Sequence, residues 1–241
     1  MRTLFVLAHQ DDEIAVATRI TYALQRGHDV SVVYLTNGEG RTARSAERDE
    51  ESRQVLRRLG VHDMHFLGSQ ERIPDGALHE HLDRALALLE RMRDVDEVVC
   101  LAWEGGHQDH DASHLIAAAF AKKRGLVARE MPLYQGYRLP GPFFQTMAPL
   151  GSGWEPRRIR AAEGMRIVAL CRFYPSQRKT WIGLLPTAIV RLVLARKEWT
   201  RVADLDRCKK KPHEGRLYYE RRFGVTWEAF SRHAEAFLTR S

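Results

Sequence analysis

The chain has 241 residues, 44% hydrophobic and 29% charged, which is enough apolar mass for one sizeable core and excludes a disordered chain. Its three cysteines lie far apart and form no CxxC pair, which excludes a disulfide framework and a thiolate metal site and fits a reducing, cytoplasmic setting. The net charge of +7 draws polyanions without naming one. The basic residues are spread along helix-like faces with one short run at Lys209–Lys211, and no nucleic-acid motif accompanies them, so a solvated surface is the plainer reading.

Thr3–Ala8 is a continuous apolar run, the pattern of a central parallel strand covered on both faces. It is too short for the apolar region of a signal peptide, and none is expected. Helical spacing follows over Ile14–Arg26, stopped by Gly27, and the β-branched stretch Asp29–Leu35 predicts a second strand. Asn37-Gly38-Glu39-Gly40 is a loop on the same edge, expected to shape a pocket, and it lacks the spacing of a dinucleotide fingerprint. A helix from about Ser45 to Leu59 ends at Gly60; Asp63–Leu67 is a short strand, Leu78–Arg93 a helix, Glu97–Ala102 a buried strand, and Asp111–Lys123 an alanine-rich helix. Four alternations of strand and helix predict a Rossmann-like, mostly parallel sheet with helices on both faces.

After Gly125 the rhythm weakens. Five prolines between Pro132 and Pro156 punctuate a region with one strand, Leu133–Tyr137, and a helix from Pro156 to about Phe173 follows. The reading is a single domain over residues 1–241, with 1–125 as a core carrying the site and 126–241 as a strand plus a helical substrate-capping region. Trp181–Ala195 is apolar but shorter than the ~18 residues of a membrane span and carries Pro186 and Arg191. It reads as a core or oligomer-interface helix; its basic flanks leave an alternative, peripheral contact with anionic membrane.

In open α/β sheets ligands bind beyond the carboxyl ends of the strands. Strand Thr3–Ala8 runs directly into His9-Gln10-Asp11-Asp12-Glu13, and Glu97–Ala102 into a loop containing His107-Gln108-Asp109-His110. Singly, either cluster is explained by helix capping. Together, at equivalent strand ends, they point to a metal held by imidazole and carboxylate, with spare groups for acid–base work. Such a metal acidifies water and polarises a carbonyl. Zinc is the usual occupant of such a set; Fe²⁺ or another divalent ion is not excluded by it.

Ala8-His9-Gln10-Asp11-Asp12-Glu13 resembles the A-H-P-D-D-E signature of the PIG-L/LmbE-like zinc N-deacetylases, and His107-Gln108-Asp109-His110 resembles their H-P-D-H motif. Arg48-Asp49-Glu50-Glu51 through Leu59-Gly60 looks like the family's R-x-x-E…L-G helix, and Tyr174-Pro175-Ser176-Gln177 like its Y-x-S-Q segment. The resemblance covers about residues 3–178. It implies a hydrolase removing acetyl from an N-acetylated amino sugar or conjugate, with lipid-linked or antibiotic-type substrates as alternatives. It also implies His9, Asp12 and His110 as metal ligands and Asp11 as general base. His107 would stabilise the oxyanion and assist the leaving amine, with Asp109 orienting His107 or holding its charged form. Arg48, Glu51 and Gln177 are candidates for substrate binding, an internal ion pair being the alternative for the first two, and a homo-oligomer is compatible with the resemblance. A basic polyanion-binding protein with a vestigial metal site is the reading from a different functional class.

Two positions depart from the motifs: both prolines are glutamines, Gln10 and Gln108. Proline fixes φ and removes an amide donor, so the glutamines predict a looser backbone and a new polar side chain near the pocket. Glu13 reads as a backbone lock. His62, His65, His79, His81 and His114 lack a matching carboxylate cluster and are expected at the surface or in caps, whereas Cys100, inside an apolar strand, is expected in the core.

Overall fold

The computed structural model describes residues 1–39 and 44–240; Gly40, the end of the expected 37–40 loop, lies outside them. The first half alternates strand and helix: β1 (Arg2–Leu7), α1 (Glu13–Gln25), β2 (Asp29–Tyr34), α2 (Ser45–Leu59), β3 (Asp63–Phe66), α3 (Leu67–Glu71), α4 (Leu82–Leu89), β4 (Glu97–Leu101) and α5 (Gln108–Lys123). The second half holds β5 (Val127–Met131), β6 (Tyr134–Gln135), β7 (Gln145–Thr146), β8 (Glu155–Arg158), α6 (Ala161–Leu170), α7 (Arg178–Ile189), β9 (Lys197–Val202), α8 (Tyr218–Arg222) and α9 (Trp227–Leu238).

Among the described residues, seven strands form one sheet in the order β3-β2-β1-β4-β5-β9-β8, and β6 and β7 form a separate pair. The pairs from β3 to β5 are parallel, whereas β9 pairs antiparallel with both β5 and β8. Strand order reverses between β1 and β4, so the crevice beyond their carboxyl ends is the topological switch point. Both faces of β1 and β4 are covered. Phe5, Leu7, Val99 and Leu101 join one apolar core with α1, α2, α6 and α7; Leu4, Val6, Val98 and Cys100 join the other with α4, α5 and α9. That double burial is why these strands read as unbroken apolar runs.

The second half differs from the sequence reading. The expected Pro156–Phe173 helix is instead the edge strand β8 followed by α6, and β5 and β9 were not expected. In β9, Lys-Glu-Trp-Thr-Arg-Val, the inward positions Glu198 and Thr200 are polar. Arg157 forks onto Glu198 at 2.6 and 2.8 Å, a bidentate pair that lets a carboxylate occupy a strand interior and disguises the strand. The strand expected over Leu133–Tyr137 shrinks to β6, and the Leu78–Arg93 helix splits into a 3₁₀ turn and α4.

Val190–Ala195 continues α7 as a π-helical turn. Pro186 sits within α7, so one ladder donor is already missing just before the widening. No helix among the described residues is long and apolar enough to cross a membrane. α6 seats this segment by close approach: a Cβ on Gly164 would lie 2.3 Å from the Leu192 carbonyl oxygen. Gly164→Ala gains up to about 1 kcal/mol of helix propensity, against about 1–3 kcal/mol for overpacking that backbone contact. A lower urea midpoint at unchanged m-value is expected, with a net loss of up to about 2 kcal/mol.

Candidate metal centre and cavity

β1 ends at Leu7, and the chain turns through residues 8–12 into α1. Asp12 organises the turn. Its Oδ2 accepts the N–H groups of Ala8 (3.1 Å) and His9 (2.8 Å), and its Oδ1 faces His110 Nε2 at 3.1 Å. His110 comes from the first turn of α5, at the end of β4. His9 Nδ1 completes a triangle, 3.2 Å from His110 Nε2 and 3.6 Å from Asp12 Oδ2. All three residues are buried.

These spacings test the fit of a metal. Zinc bonds of about 2.0–2.1 Å in tetrahedral array require ligand atoms about 3.3–3.4 Å apart. The observed 3.1–3.6 Å and the two-nitrogen, one-carboxylate donor set satisfy that requirement. The other nitrogen of His9 is backed by acids, as metal-bound imidazoles usually are: Nε2 lies 3.1 Å from Asp109 Oδ2 and 3.2 Å from Asp75 Oδ1. His110 Nδ1 has no protein partner among the described residues. A second grouping, His9 with Asp75 and His107, also brings three donor atoms together, but on the opposite edge of the same His9 ring.

The acids around His9 raise its pKa well above the ordinary imidazole value, in spite of burial that acts to lower it. Asp12 is held well below the usual carboxylate range, His110 and His9 outweighing its burial. The same holds for Asp75, through His9, His107 and Arg48. A buried pocket that keeps carboxylates ionised around two imidazoles is an electrostatic seat for a cation.

Asp11 lies beside this triangle in a strained conformation, with φ of 115°, a region few non-glycine residues enter. Two side chains hold it there. Glu13 accepts the Asp11 N–H at 2.9 Å; Arg48 donates to the Gln10 carbonyl at 2.5 Å and to Asp11 Oδ1 at 3.2 Å. Glu13 is itself bonded by the Tyr174 hydroxyl. Burial pushes Asp11 up to about 7, with Arg48 opposing and Asp12 adding to the rise.

His107 caps α5: its Nδ1 accepts the Asp109 N–H at 3.1 Å. That bond assigns the ring proton to Nε2 and makes His107 a donor. Burial, then the neighbouring His9, pushes its pKa down to about 3, so the ring is neutral.

A cavity of about 210 Å³ opens over these groups. His9, Asp11, Asp12, His107 and His110 form its floor, Arg48, Asp75, Gln177 and Thr180 its polar side, and Leu133, Tyr134, Trp181, Leu184 and Phe223 its apolar walls. Two expected site residues lie elsewhere. The Asp109 carboxylate faces His9, not His107, and also accepts the Gly76 and Leu78 N–H groups at 2.6 and 3.0 Å. Glu51 is absent from the lining; it accepts the Ser176 N–H at 2.9 Å and the Ser176 hydroxyl at 2.5 Å, tying α2 to the 174–177 segment. Asp75 is the residue that sequence reasoning missed. Its only signal is Pro74-Asp75-Gly76, a plain turn pattern, although the turn lies on the same sheet edge.

The glutamines at the proline positions are anchored. Gln10 Nε2 donates to Asp49 Oδ1 at 2.6 Å, and its Oε1 occupies space that a Cβ on Gly38 would need, 2.1 Å away. Gln108 Nε2 donates to the Gly76 carbonyl at 3.0 Å, beside Asp75. The looseness expected from losing proline is therefore met by side-chain ties to α2 and to the Asp75 turn. Asp49 in turn accepts from Ser69 at 2.9 Å.

Three buried acids hold the loop between β4 and α5. Asp111 accepts the Glu104 and Gly105 N–H groups at 3.1 and 3.2 Å, Glu104 that of Leu133 at 2.7 Å, and Glu130 that of Trp103 at 3.2 Å. Burial lifts Asp111 to about 8. His114 and His79, expected at the surface or in caps, are buried, His79 stacked on Phe230 and His114 with Nδ1 2.9 Å from the Leu101 carbonyl.

A doubly wound α/β sheet with a His–Asp–His cluster at its switch point is the class these features define. Residues 4–121 match the family model described as PIG-L, GlcNAc-PI de-N-acetylase. The chain belongs to that family of deacetylases, and is an enzyme of the amide-hydrolysing kind. A comparison with curated proteins gives no match.

Among solved structures, the chain is similar to a deacetylase of the teicoplanin biosynthesis pathway (17% identity, 84% of this chain and 97% of that one, TM-score 0.65). It is also similar to the N,N'-diacetylchitobiose deacetylase of Pyrococcus horikoshii (18% identity, 83% of each chain, TM-score 0.59). A third is the 4-carboxy-2-hydroxymuconate hydratase of Pseudomonas putida KT2440 (16% identity, 85% and 97%, TM-score 0.53). At these identities the likeness is one of fold, and the fold carries more than one chemistry.

Two outcomes follow. Asp109→Ala, which leaves His9 without its closest acceptor, is expected to weaken metal binding by about 10–100-fold in competition with a chromophoric chelator. The second concerns His114. Its Nε2 has no partner among the described residues, so charging the ring would bury an unpaired N–H, and burial lowers its pKa. The unfolded chain then binds a proton that the folded chain refuses as pH falls below the ordinary imidazole pKa of about 6.5. Stability is lost in that direction, and His114→Asn should flatten the slope of unfolding free energy below about pH 6.5 by up to one proton, read by urea titration across pH.

Proposed function

We propose that this enzyme is a metal-dependent N-deacetylase that hydrolyses the acetamide of an N-acetylated amino sugar or its conjugate, with zinc held by His9, Asp12 and His110. The observation that carries the reading is the placing of Asp11 and His107 in one cavity with that triangle: an acceptor of protons and a donor of hydrogen bonds beside a cation seat. Zinc in such a seat supplies Lewis acidity at the carbonyl and lowers the pKa of water.

The chain's own groups divide the remaining work. Asp11, fixed by Arg48 and by its strained backbone, takes a proton from the attacking water. His107, neutral and with its proton on Nε2, donates to the oxygen that becomes negative as the C–O bond forms. As the C–N bond breaks, Asp11 passes its proton to the departing nitrogen, leaving acetate and an amine. Asp109 and Asp75 act through His9, holding its ring.

The cavity walls favour a sugar-sized group. Tyr134, Trp181 and Phe223 offer faces to the apolar side of a pyranose, and Arg48, Gln177 and Thr180 offer polar partners to its hydroxyls. The vestigial-site reading is weaker, because two of the lysines on which it leans are engaged: Lys209 with Asp206 at 2.5 Å and Lys211 with Glu220 at 3.0 Å. The three cysteines are buried and unpaired, which suits a reducing, cytoplasmic compartment.

The test is a panel of N-acetylated amino sugars and glycoconjugates assayed for released amine with zinc-loaded, iron-loaded and chelated protein. Turnover is expected with metal and not without it, and Asp11→Asn should lower kcat by about 10²–10⁴-fold while keeping bound metal. Full activity in chelated protein, or in Asp11→Asn, overturns the reading.

A further inference from the structure

α7 and its π-turn are apolar on two opposite faces. Trp181, Leu184, Ala188 and Leu192 point inward and are buried. The outer face repeats every four residues as Ile182, Pro186, Val190 and Leu194; Ile182 is 74% exposed and Leu194 69%. A helix lying on a water-soluble domain ordinarily carries polar residues on that side. Phe143, exposed next to the Phe144 that packs against Gly183, and Met165, exposed next to Gly164, widen the patch.

The charge along this segment has one sign. Between Gly164 and Lys197 there are seven arginines and lysines and no Asp or Glu. None of the seven pairs with a carboxylate among the described residues. Gln177, Thr180, Trp181 and Leu184, from the same helix and the residue before it, line the cavity.

From this we infer that the outer face of α7 and its π-turn docks on an anionic lipid bilayer and sets the mouth of the cavity at the headgroup level. A bilayer suits both features at once: its acyl boundary takes the apolar ridge and its headgroups take the unpaired cations. A second copy of the chain suits only one of them, because a two-fold contact would set the same unpaired positive charges against each other. The inference rests on the proposed function only for the identity of the cavity; the surface itself is read without turnover.

Full-length, metal-loaded protein is floated with vesicles of phosphatidylcholine containing phosphatidylglycerol and, separately, with pure phosphatidylcholine. Association with the anionic vesicles alone, reduced by salt, is expected. Lys179→Gln should weaken it about fivefold, the effect of one cation near an anionic surface. Ile182→Ser combined with Leu194→Ser should abolish it, with turnover of a soluble N-acetyl amino sugar retained as the check that the variant is folded. No association with anionic vesicles, or equal association with both kinds, overturns the inference. So does a sedimentation result in which the serine variants dissociate a dimer. Vesicle binding by a protein that releases no amine from any substrate would instead overturn the deacetylase reading and leave this one standing.

Discussion

The Asp12 carboxylate is the interaction on which the site depends. One oxygen is pinned by the N–H groups of Ala8 and His9, where β1 stops being a strand, and the other meets His110 from the helix after β4. The side chain thus joins the two central strands at the point where the sheet changes direction. Because both oxygens are spoken for, the carboxylate cannot rotate without releasing either the turn that aims His9 or the imidazole of His110. Burial makes either loss costly, since an unpaired backbone N–H or an unpaired charge at these nearly covered positions is poorly solvated.

The surroundings act on that junction from a distance of one or two residues. Glu13, Tyr174 and Arg48 hold Asp11 in a backbone conformation it would not adopt alone, a cost of about 1–3 kcal/mol that the fold elsewhere must offset. Asp111, Glu104 and Glu130 accept the amides of the β4–α5 loop and of the segment entering β6, so His107 stands on a rigid arch and not on a free loop. Gln10 and Gln108 replace the local stiffness of proline with ties to neighbouring segments, one to α2 and one to the Asp75 turn. Stiffness given by a ring has become stiffness given by hydrogen bonds.

Much of this was legible in the sequence, for identifiable reasons. β1, β2 and β4 are covered on both faces and so are written as apolar runs, and the residues that follow β1 and β4 cannot be mistaken for core. His9, Asp11, Asp12, His107 and His110 were visible for that reason, and the structure brings them to one cavity. β9 was hidden because its inward residues include a glutamate neutralised by Arg157, and Asp75 because a Pro-Asp-Gly turn looks like any other. Asp109 meets both histidines: its N–H holds His107, two residues away as sequence proximity suggests, whereas the helical turn swings its carboxylate across to His9. The surface or capping roles expected of His114 and His79 fail because nothing in the pattern of α5 or of the 78–80 turn records which neighbours cover them.

The central claim is that a metal sits on the Nδ1 edge of His9, between Asp12 and His110. Anomalous diffraction at the absorption edge of the bound metal, on crystals of the metal-loaded protein, tests it directly. A single peak is expected within about 2.0–2.2 Å of His9 Nδ1, His110 Nε2 and an Asp12 carboxylate oxygen. A peak instead on the Nε2 edge of His9, shared with Asp75 and His107, or at any cysteine sulfur, would contradict the account.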